Sequence, residues 1–521
     1  MFGTCKKKTT KLTNRSDQKF IFILSLMVIH GCNKLPLEFF QTSTPTIPHI
    51  DREFRATWVA TVANIDWPSQ PGLDSIEQRK EAKAIIDSAY SLGLNTIILQ
   101  IRPQCDAIYA NSIEPWSYFL SGQQGKPPTP LYDPLQFWIK HTHARGMELH
   151  AWFNPFRAHH GQGGPIGEAS VINSKKKLTS VKLQKEGYWW LDPGNTENQN
   201  HSFATIMDVL KRYDIDGIHF DDYFYPYPDL NEGHDFPDQE SWKTYLAEGG
   251  HLTLGDWRRE NVNAFIKRIY QSIKKEKSHV KFGISPFGIW RPGFPASIKG
   301  LDQYEVLYAD ARLWLKKGWV DYLAPQLYWP TRQFDQSYPL LLAWWNNQNT
   351  KDRHIWPGLF TSGIKNLRDS DEIINQIMFA RAMGGLKPGH IHFNITPLKD
   401  NRLGIADSLI AGAYKRLALV PATTWIEDKP PASPYVLNRI EDNEITISWS
   451  HKQIQDVRKW VIYELRGTNW YHTILPDYIT DFTLPLSVEN NNFNNILTQI
   501  GVSAVDRAGN ESEIQQMKIF P

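Results

Sequence analysis

Cysteine is scarce in this chain: three in 521 residues, Cys5, Cys32 and Cys105. That is too few for a disulfide-stapled scaffold or a Cys-rich metal centre. A dominant charge is missing too, because 57 Lys and Arg face 55 Asp and Glu for a net of +2. No strong field draws such a chain to nucleic acid. The leader-like apolar run Phe20–Ile29 falls well short of the roughly 18 residues a membrane span needs. There is no Gly-x-Ser-x-Gly elbow near a strand end and no phosphate-cradling Walker loop, which removes Ser-triad hydrolases and P-loop enzymes from consideration. Aromatic residues, by contrast, are plentiful: 20 Trp, 21 Tyr and 25 Phe. Such side chains fill a large core, and their flat faces also stack on sugar rings.

Lys6, Lys7, Lys8, Lys11, Arg15 and Lys19 precede the run Phe20–Ile29, which is the order of a secretory signal. Ile29-His30-Gly31-Cys32 follows and resembles a bacterial lipobox, so residues 1–31 read as a lipoprotein-type signal and Cys32 as the lipidated residue. Residues 32–51, with Pro36, Pro45 and Pro48 among polar residues, read as a flexible tether.

From residue 52 to about 420, short β-type runs alternate with helix-like segments. The runs are Phe54–Val62, Thr96–Arg102, Met147–Asn154, Gly217–Tyr223, Lys281–Phe287, Tyr322–Tyr328, His354–Phe360 and Gly389–Thr396. The clearest helix is Trp257–Lys277, where Val262, Phe265, Ile266, Ile269 and Ile273 recur at helical spacing. This alternation predicts an α/β fold, a (β/α)8 TIM barrel. A Pro-rich linker at 421–434 leads to residues 435–521, whose alternating runs Glu444–Trp449, Trp460–Leu465 and Ile500–Val505 predict an all-β, immunoglobulin-like sandwich. That module resembles fibronectin type III.

Barrel enzymes place chemistry at the carboxyl ends of their strands. Two-residue alternation sends Ile218 and Phe220 outward under the helices and His219, Asp221 and Tyr223 toward the axis, with Asp222 at the lip. The same parity turns Gln100, Arg102, His150, Trp152, Asn154, Gln326, Tyr328, His392 and Asn394 inward. Consecutive acids are commonly a solvated turn. Here, neighbouring carboxylates in an aromatic, dehydrated setting split into one protonated and one ionised group, the equipment for glycosidic cleavage. Asp106, beyond Arg102-Pro103, is the leading second acid, ahead of Asp66, Asp192 and Asp310. Trp67, Trp116, Trp152, Tyr225 and Trp329 stand near strand ends as stacking platforms, with Arg102, His150, Asn154, Arg157, His219, Gln326, Tyr328, His392 and Asn394 as polar contacts. The competing reading is a metal-dependent hydrolase in which His390 and His392 join His150, His219 and Asp221.

Arg55–Pro68 (RATWVATVANIDWP), Ile101-Arg102-Pro103 with Asp106–Tyr109, Glu148–Pro155 (ELHAWFNP), Asp216–Pro226 (DGIHFDDYFYP) and Asp321–Trp329 (DYLAPQLYW) together resemble the bacterial glycosyl-hydrolase-like family 10. The resemblance runs in order from about Arg52 to Leu419. It implies a TIM-barrel glycoside hydrolase with Asp221 and Asp222 in its active site. A relative acting on peptidoglycan strands that lack stem peptides makes murein the implied substrate class. The expectation is therefore an exported, lipid-anchored hydrolase needing no cofactor or metal, in which a carboxylic acid protonates the leaving oxygen and Asp221 attacks or stabilises the sugar. The alternative of a different class is a glycan-binding envelope lipoprotein without catalysis.

Overall fold

The computed structural model describes residues 47–173, 178–488 and 496–519. The signal segment, Cys32 and most of the tether lie outside these residues. The tether's end is not loose: Ile47 and Ile50 are buried in a cluster with Leu419, Val461, Tyr463 and Val505. Two apolar side chains five residues before the barrel anchor what composition alone made a flexible spacer.

The barrel strands are β1 (Phe54–Val59), β2 (Thr96–Arg102), β3 (Glu148–Phe153), β4 (Gly217–Phe220), β5 (Lys281–Ile284), β6 (Tyr322–Leu323), β7 in two halves (His354–Ile355 and Gly358–Leu359) and β8 (Gly389–His392). All pair in parallel, in the order β7-β6-β5-β4-β3-β2-β1-β8-β7. The two ends of that order are the two halves of β7, so the sheet closes on itself. Pro357 has no N–H to donate and interrupts the ladder. The bonds Trp356 N to Leu323 O (2.9 Å), Gly358 N to Pro325 O (2.9 Å) and Ile391 N to Pro357 O (3.0 Å) bridge the gap.

β2 shows why these runs become strands. Its sequence TIILQIR is rich in β-branched residues and buried at every position, as a parallel strand covered on both faces must be. Ile97, Leu99 and Ile101 pack in the layer beneath the helices, and Ile98 joins Phe54, Trp152 and Tyr322 inside the barrel. The outer layer consists of α1 (Ser75–Ser91), α2 (Pro134–His143), α3 (Thr196–Arg212), α4 (Leu254–Glu276), α5 (Ala311–Lys317), α6 (Tyr338–Gln348), α7 (Leu367–Gly384) and α8 (Ile405–Ala411). α4 starts where the Thr253 hydroxyl accepts from Asp256 N at 3.2 Å. Its buried stripe of Val262, Phe265, Ile266, Ile269 and Ile273 matches the sequence periodicity.

Beyond the barrel, β9 (Tyr435–Glu441), β10 (Glu444–Ser450) and β13 (Asp481–Pro485) form one antiparallel sheet. β12 (Asn469–Pro476), β11 (Val457–Arg466), β14 (Leu497–Asp506) and β15 (Gln515–Lys518) form a second. Ile445, Ile447 and Trp449 of β10 face Trp460, Ile462, Ile500 and Val502 in a sandwich core. The segment 421–434 is no free linker. The indole of Trp425 donates to Asp321 Oδ1 at 2.8 Å and packs against His354 and the Arg353 guanidinium. Arg458 of β11 reaches Asp216, just ahead of β4, at 3.2 Å, which holds the sandwich against the amino-terminal face of the barrel.

Candidate active site

At the opposite, carboxyl-terminal face is a hollow of about 320 Å3. It is lined by Trp58, Ala60, Val62, Ile65, Gln100, Trp152, Arg157, His160, Asp221, Asp222, Tyr223, Tyr227, Ser285, Gln326, Tyr328 and Phe393. A larger hollow of about 680 Å3 sits at the start of β1, on the far side from these residues. Its arginines are engaged there: Arg55 and Arg381 bond Glu53, Arg416 pairs with Asp51, and Arg52 donates to the carbonyls of Val420 and Gly509. Size alone therefore does not locate the chemistry.

β4 ends at Phe220, which delivers the next two residues, Asp221 and Asp222, to the rim. The Trp152 indole N–H donates to Asp221 Oδ2 at 3.2 Å, and Asn154 Nδ2 donates to the same oxygen at 3.3 Å. Burial pushes the Asp221 carboxyl up to about 7; the charge of Arg157 opposes that rise and Asp222 adds to it. Burial also raises Asp222, to about 6, against a hydrogen bond from the Tyr227 hydroxyl. The floor below is neutral. His219 Nδ1 lies 2.9 Å from the Tyr322 hydroxyl and its Nε2 3.0 Å from Ser285 Oγ, and burial holds its pKa well below the ordinary value. Trp58 Nε1 donates to the same Nε2 at 3.1 Å.

Of the residues expected at the site, Asp221, Asp222, Trp152, Arg157, Tyr223, Gln326 and Tyr328 line this hollow. Asn154 stands behind, holding Asp221. Several others are elsewhere. Asp106 is fully buried among Gln104, Gln124 and the Tyr118 amide, away from the hollow, so it is not the acid opposite Asp221. Arg102 is sequestered by Glu114, with Nε to Oε2 at 2.7 Å and Nη2 to Oε1 at 2.5 Å, because a buried guanidinium needs a carboxylate. His150 is barrel filling between Glu148 and the Tyr322 hydroxyl. His392 is likewise interior, bonded to Thr361 and Tyr414, and His390 shares the Tyr414 hydroxyl. The two imidazoles thus each turn Nε2 to the same tyrosine, not toward His150 and His219, and among the described residues no group of three metal-ligating side chains forms. Tyr225 turns to a separate hollow with Phe236 and Tyr308. Trp329 packs edge-on against Phe287 at 5.6 Å, and Asn394 is buried with no place in the lining. Asp310 caps α5 through the Leu313 amide, Asp66 holds the Ala60 amide and the Thr396 hydroxyl, and Asp192 bonds Ser241.

Sequence reasoning missed Trp58, Tyr227, Ser285, His160 and Phe393. Parity was the available signal for Trp58, which lies on the inward face of β1 with Ala60 and Val62. Tyr227 is the third tyrosine of the run Tyr223–Tyr227, and no local rule tells that it joins Tyr223 in the hollow while Tyr225 turns away.

The pattern of the family described as "Glycosyl hydrolase-like 10" matches residues 53–373. "Glycosyl hydrolase YngK" of Bacillus subtilis (strain 168) is 36% identical over 480 residues, covering 89% of this chain and 92% of that protein. "Glycosyl hydrolase DigH" of Escherichia coli (strain K12) is 33% identical over 363 residues, covering 65% of this chain and 80% of that protein. Among solved structures, the PgaB (BpsB) glycoside hydrolase domain from Bordetella bronchiseptica covers 68% of this chain and 98% of its own at 14% identity, with a TM-score of 0.44.

Proposed function

This chain belongs to the glycosyl hydrolase-like 10 family, and we propose that it hydrolyses O-glycosidic bonds of an envelope polysaccharide, peptidoglycan glycan strands, in the hollow that holds Asp221 and Asp222. One observation carries the reading: two buried carboxyls of consecutive residues, raised to about 7 and about 6, share a sugar-sized hollow walled by aromatic side chains. At neutral pH such a pair holds one proton between its members. Asp221, the higher of the two, carries it and donates it to the leaving oxygen. Asp222 remains the anion, stabilised by the Tyr227 hydroxyl. This ordering differs from the sequence expectation, in which Asp221 was the ionised member; both carboxyls are buried alike, and the hydrogen bond from the Tyr227 hydroxyl favours the anion on Asp222. Trp58, Trp152 and Tyr328 offer faces for pyranose rings. Arg157, whose charge reaches Asp221, suits a sugar bearing a carboxylate, as muramic acid does. The export signal, the lipid on Cys32 and the fibronectin type III kinship of the sandwich belong to the same proposal.

The test is incubation of the purified chain with peptide-free murein strands, followed by mass spectrometry of the soluble products. The proposal expects glycan fragments from the wild type and a roughly 100- to 10,000-fold slower release from Asp221→Asn. Tight binding of strands without any fragments overturns it in favour of a glycan-binding protein.

A further inference from the structure

Glycosidases that work with two carboxyls place them on the two sides of the scissile bond, one to protonate the leaving oxygen and one to attack or to activate water. Here both aspartates leave the same strand end. Four places around the barrel from β4, in either direction, is β8. The wall on that side comes from β8 and its neighbour β1 and presents Phe393, Trp58, Ala60 and Val62. Among the described residues that line the hollow, Asp221 and Asp222 are the only acids. An opposing carboxylate is therefore missing where a protein nucleophile belongs. In its place is an apolar corner, in which Trp58 and Phe393 meet edge-on at 6.0 Å and Tyr328 lies 5.9 Å from Phe393.

We infer that the nucleophile is the substrate's own 2-acetamido group, so that the sugar contributing C1 to the cut bond is a 2-acetamido-2-deoxyhexose in a 1,2-trans linkage. The inference rests on the hydrolase reading above. The acetamide carbonyl oxygen bonds C1 as the C1–O glycosidic bond breaks. Asp221 gives its proton to the leaving oxygen, and Asp222 takes the amide N–H proton, leaving a neutral oxazoline. Water then adds to C1 as the bond from C1 to the acetamide oxygen breaks. Its proton passes to Asp221 while Asp222 returns the other to the oxazoline nitrogen, so the amide and both carboxyls end as they began. Consecutive aspartates suit this chemistry because the amide nitrogen and the glycosidic oxygen are substituents of adjacent carbons, and the aromatic corner fits the acetamide methyl group.

The experiment uses the full chain and peptide-free glycan strands that are de-N-acetylated and then re-acylated with acetyl, fluoroacetyl or trifluoroacetyl groups. Fluorine weakens the carbonyl oxygen as a nucleophile with little change in size. Release of reducing ends is expected to fall about tenfold or more from acetyl to fluoroacetyl and further to trifluoroacetyl, and NMR of the first-formed product is expected to show retained configuration at C1. Equal rates on the three polymers, or an inverted product, overturn participation and leave the hydrolase reading standing. No cleavage of the acetyl polymer overturns both.

Discussion

Asp221 is stabilising as an acid and destabilising as an anion. Its carboxyl titrates near 7 in the folded chain, above the ordinary value of 3.8, because burial penalises the charge. A raised carboxyl contributes fully below the unfolded value and loses that contribution as pH rises toward the folded one. The cost of burying the anion thus accrues between about pH 4 and 7 and is complete at pH 8. Asp221→Asn removes it. Calorimetry at pH 8 should find the variant more stable by on the order of a few kcal/mol, with the gap closing toward pH 4; equal melting temperatures at both pH values contradict the assigned burial. The proposed catalysis depends on the same two groups. If activity needs Asp221 protonated and Asp222 ionised, kcat/KM should trace a narrow bell with limbs near 6 and 7, and a flat profile from pH 5 to 8 contradicts it. Strand parity made Asp221 legible in the sequence, and Asp222 followed it as the next residue at the lip. Parity failed for Arg102, which a register shift after Gln100 pairs with Phe153 and which Glu114 binds, and for His392, which turns inward to Tyr414; both partners lie in loops that no strand pattern announces.

Among the elements, the loop after β2 is held by charge. Glu114 accepts both Arg102 bonds and sits 2.8 Å from His201 Nε2 on α3, so one carboxylate ties the loop to a strand and a helix. The ion pair is almost fully buried, at 1% and 0% side-chain exposure. Glu114→Gln leaves the guanidinium buried without its counter-charge. Denaturant titration should show a loss of about 3–5 kcal/mol, whereas a loss below the error of the method contradicts the pair's structural role. α4 was readable from Trp257 onward because its apolar stripe is local in sequence; its first turn from Leu254, capped by Thr253, was not read. β7 was not readable as a broken strand, since its interruption shows only when Pro357 lies between two paired neighbours.

The whole molecule has two poles. Chemistry gathers where the strands end, and the sandwich covers where they begin. Arg458 meets Asp216 at 3.2 Å and Asp214 at 3.5 Å, Arg507 meets Asp214 at 2.8 Å, and Trp425 fastens to Asp321. Asp216 is thereby a docking point, held well below the usual carboxylate range by Arg458 and His143 against its burial. That contact spans 242 residues of chain, beyond the reach of periodicity or composition, although the Pro-rich segment had marked the change of architecture. Cutting the chain after residue 434 should lower the melting temperature of the barrel and expose Ile47, Ile50 and Leu419 to solvent; a truncated barrel with unchanged melting temperature and activity contradicts a bracing role for the sandwich. The account as a whole stands on Asp221 acting at the mouth of the barrel. Its most direct test is the rate of reducing-end release from peptide-free glycan strands by wild type and Asp221→Asn at pH 6.5, with both proteins shown to be folded. Release by the wild type and a loss of roughly 100-fold or more in the variant is the predicted result, and equal rates would contradict it.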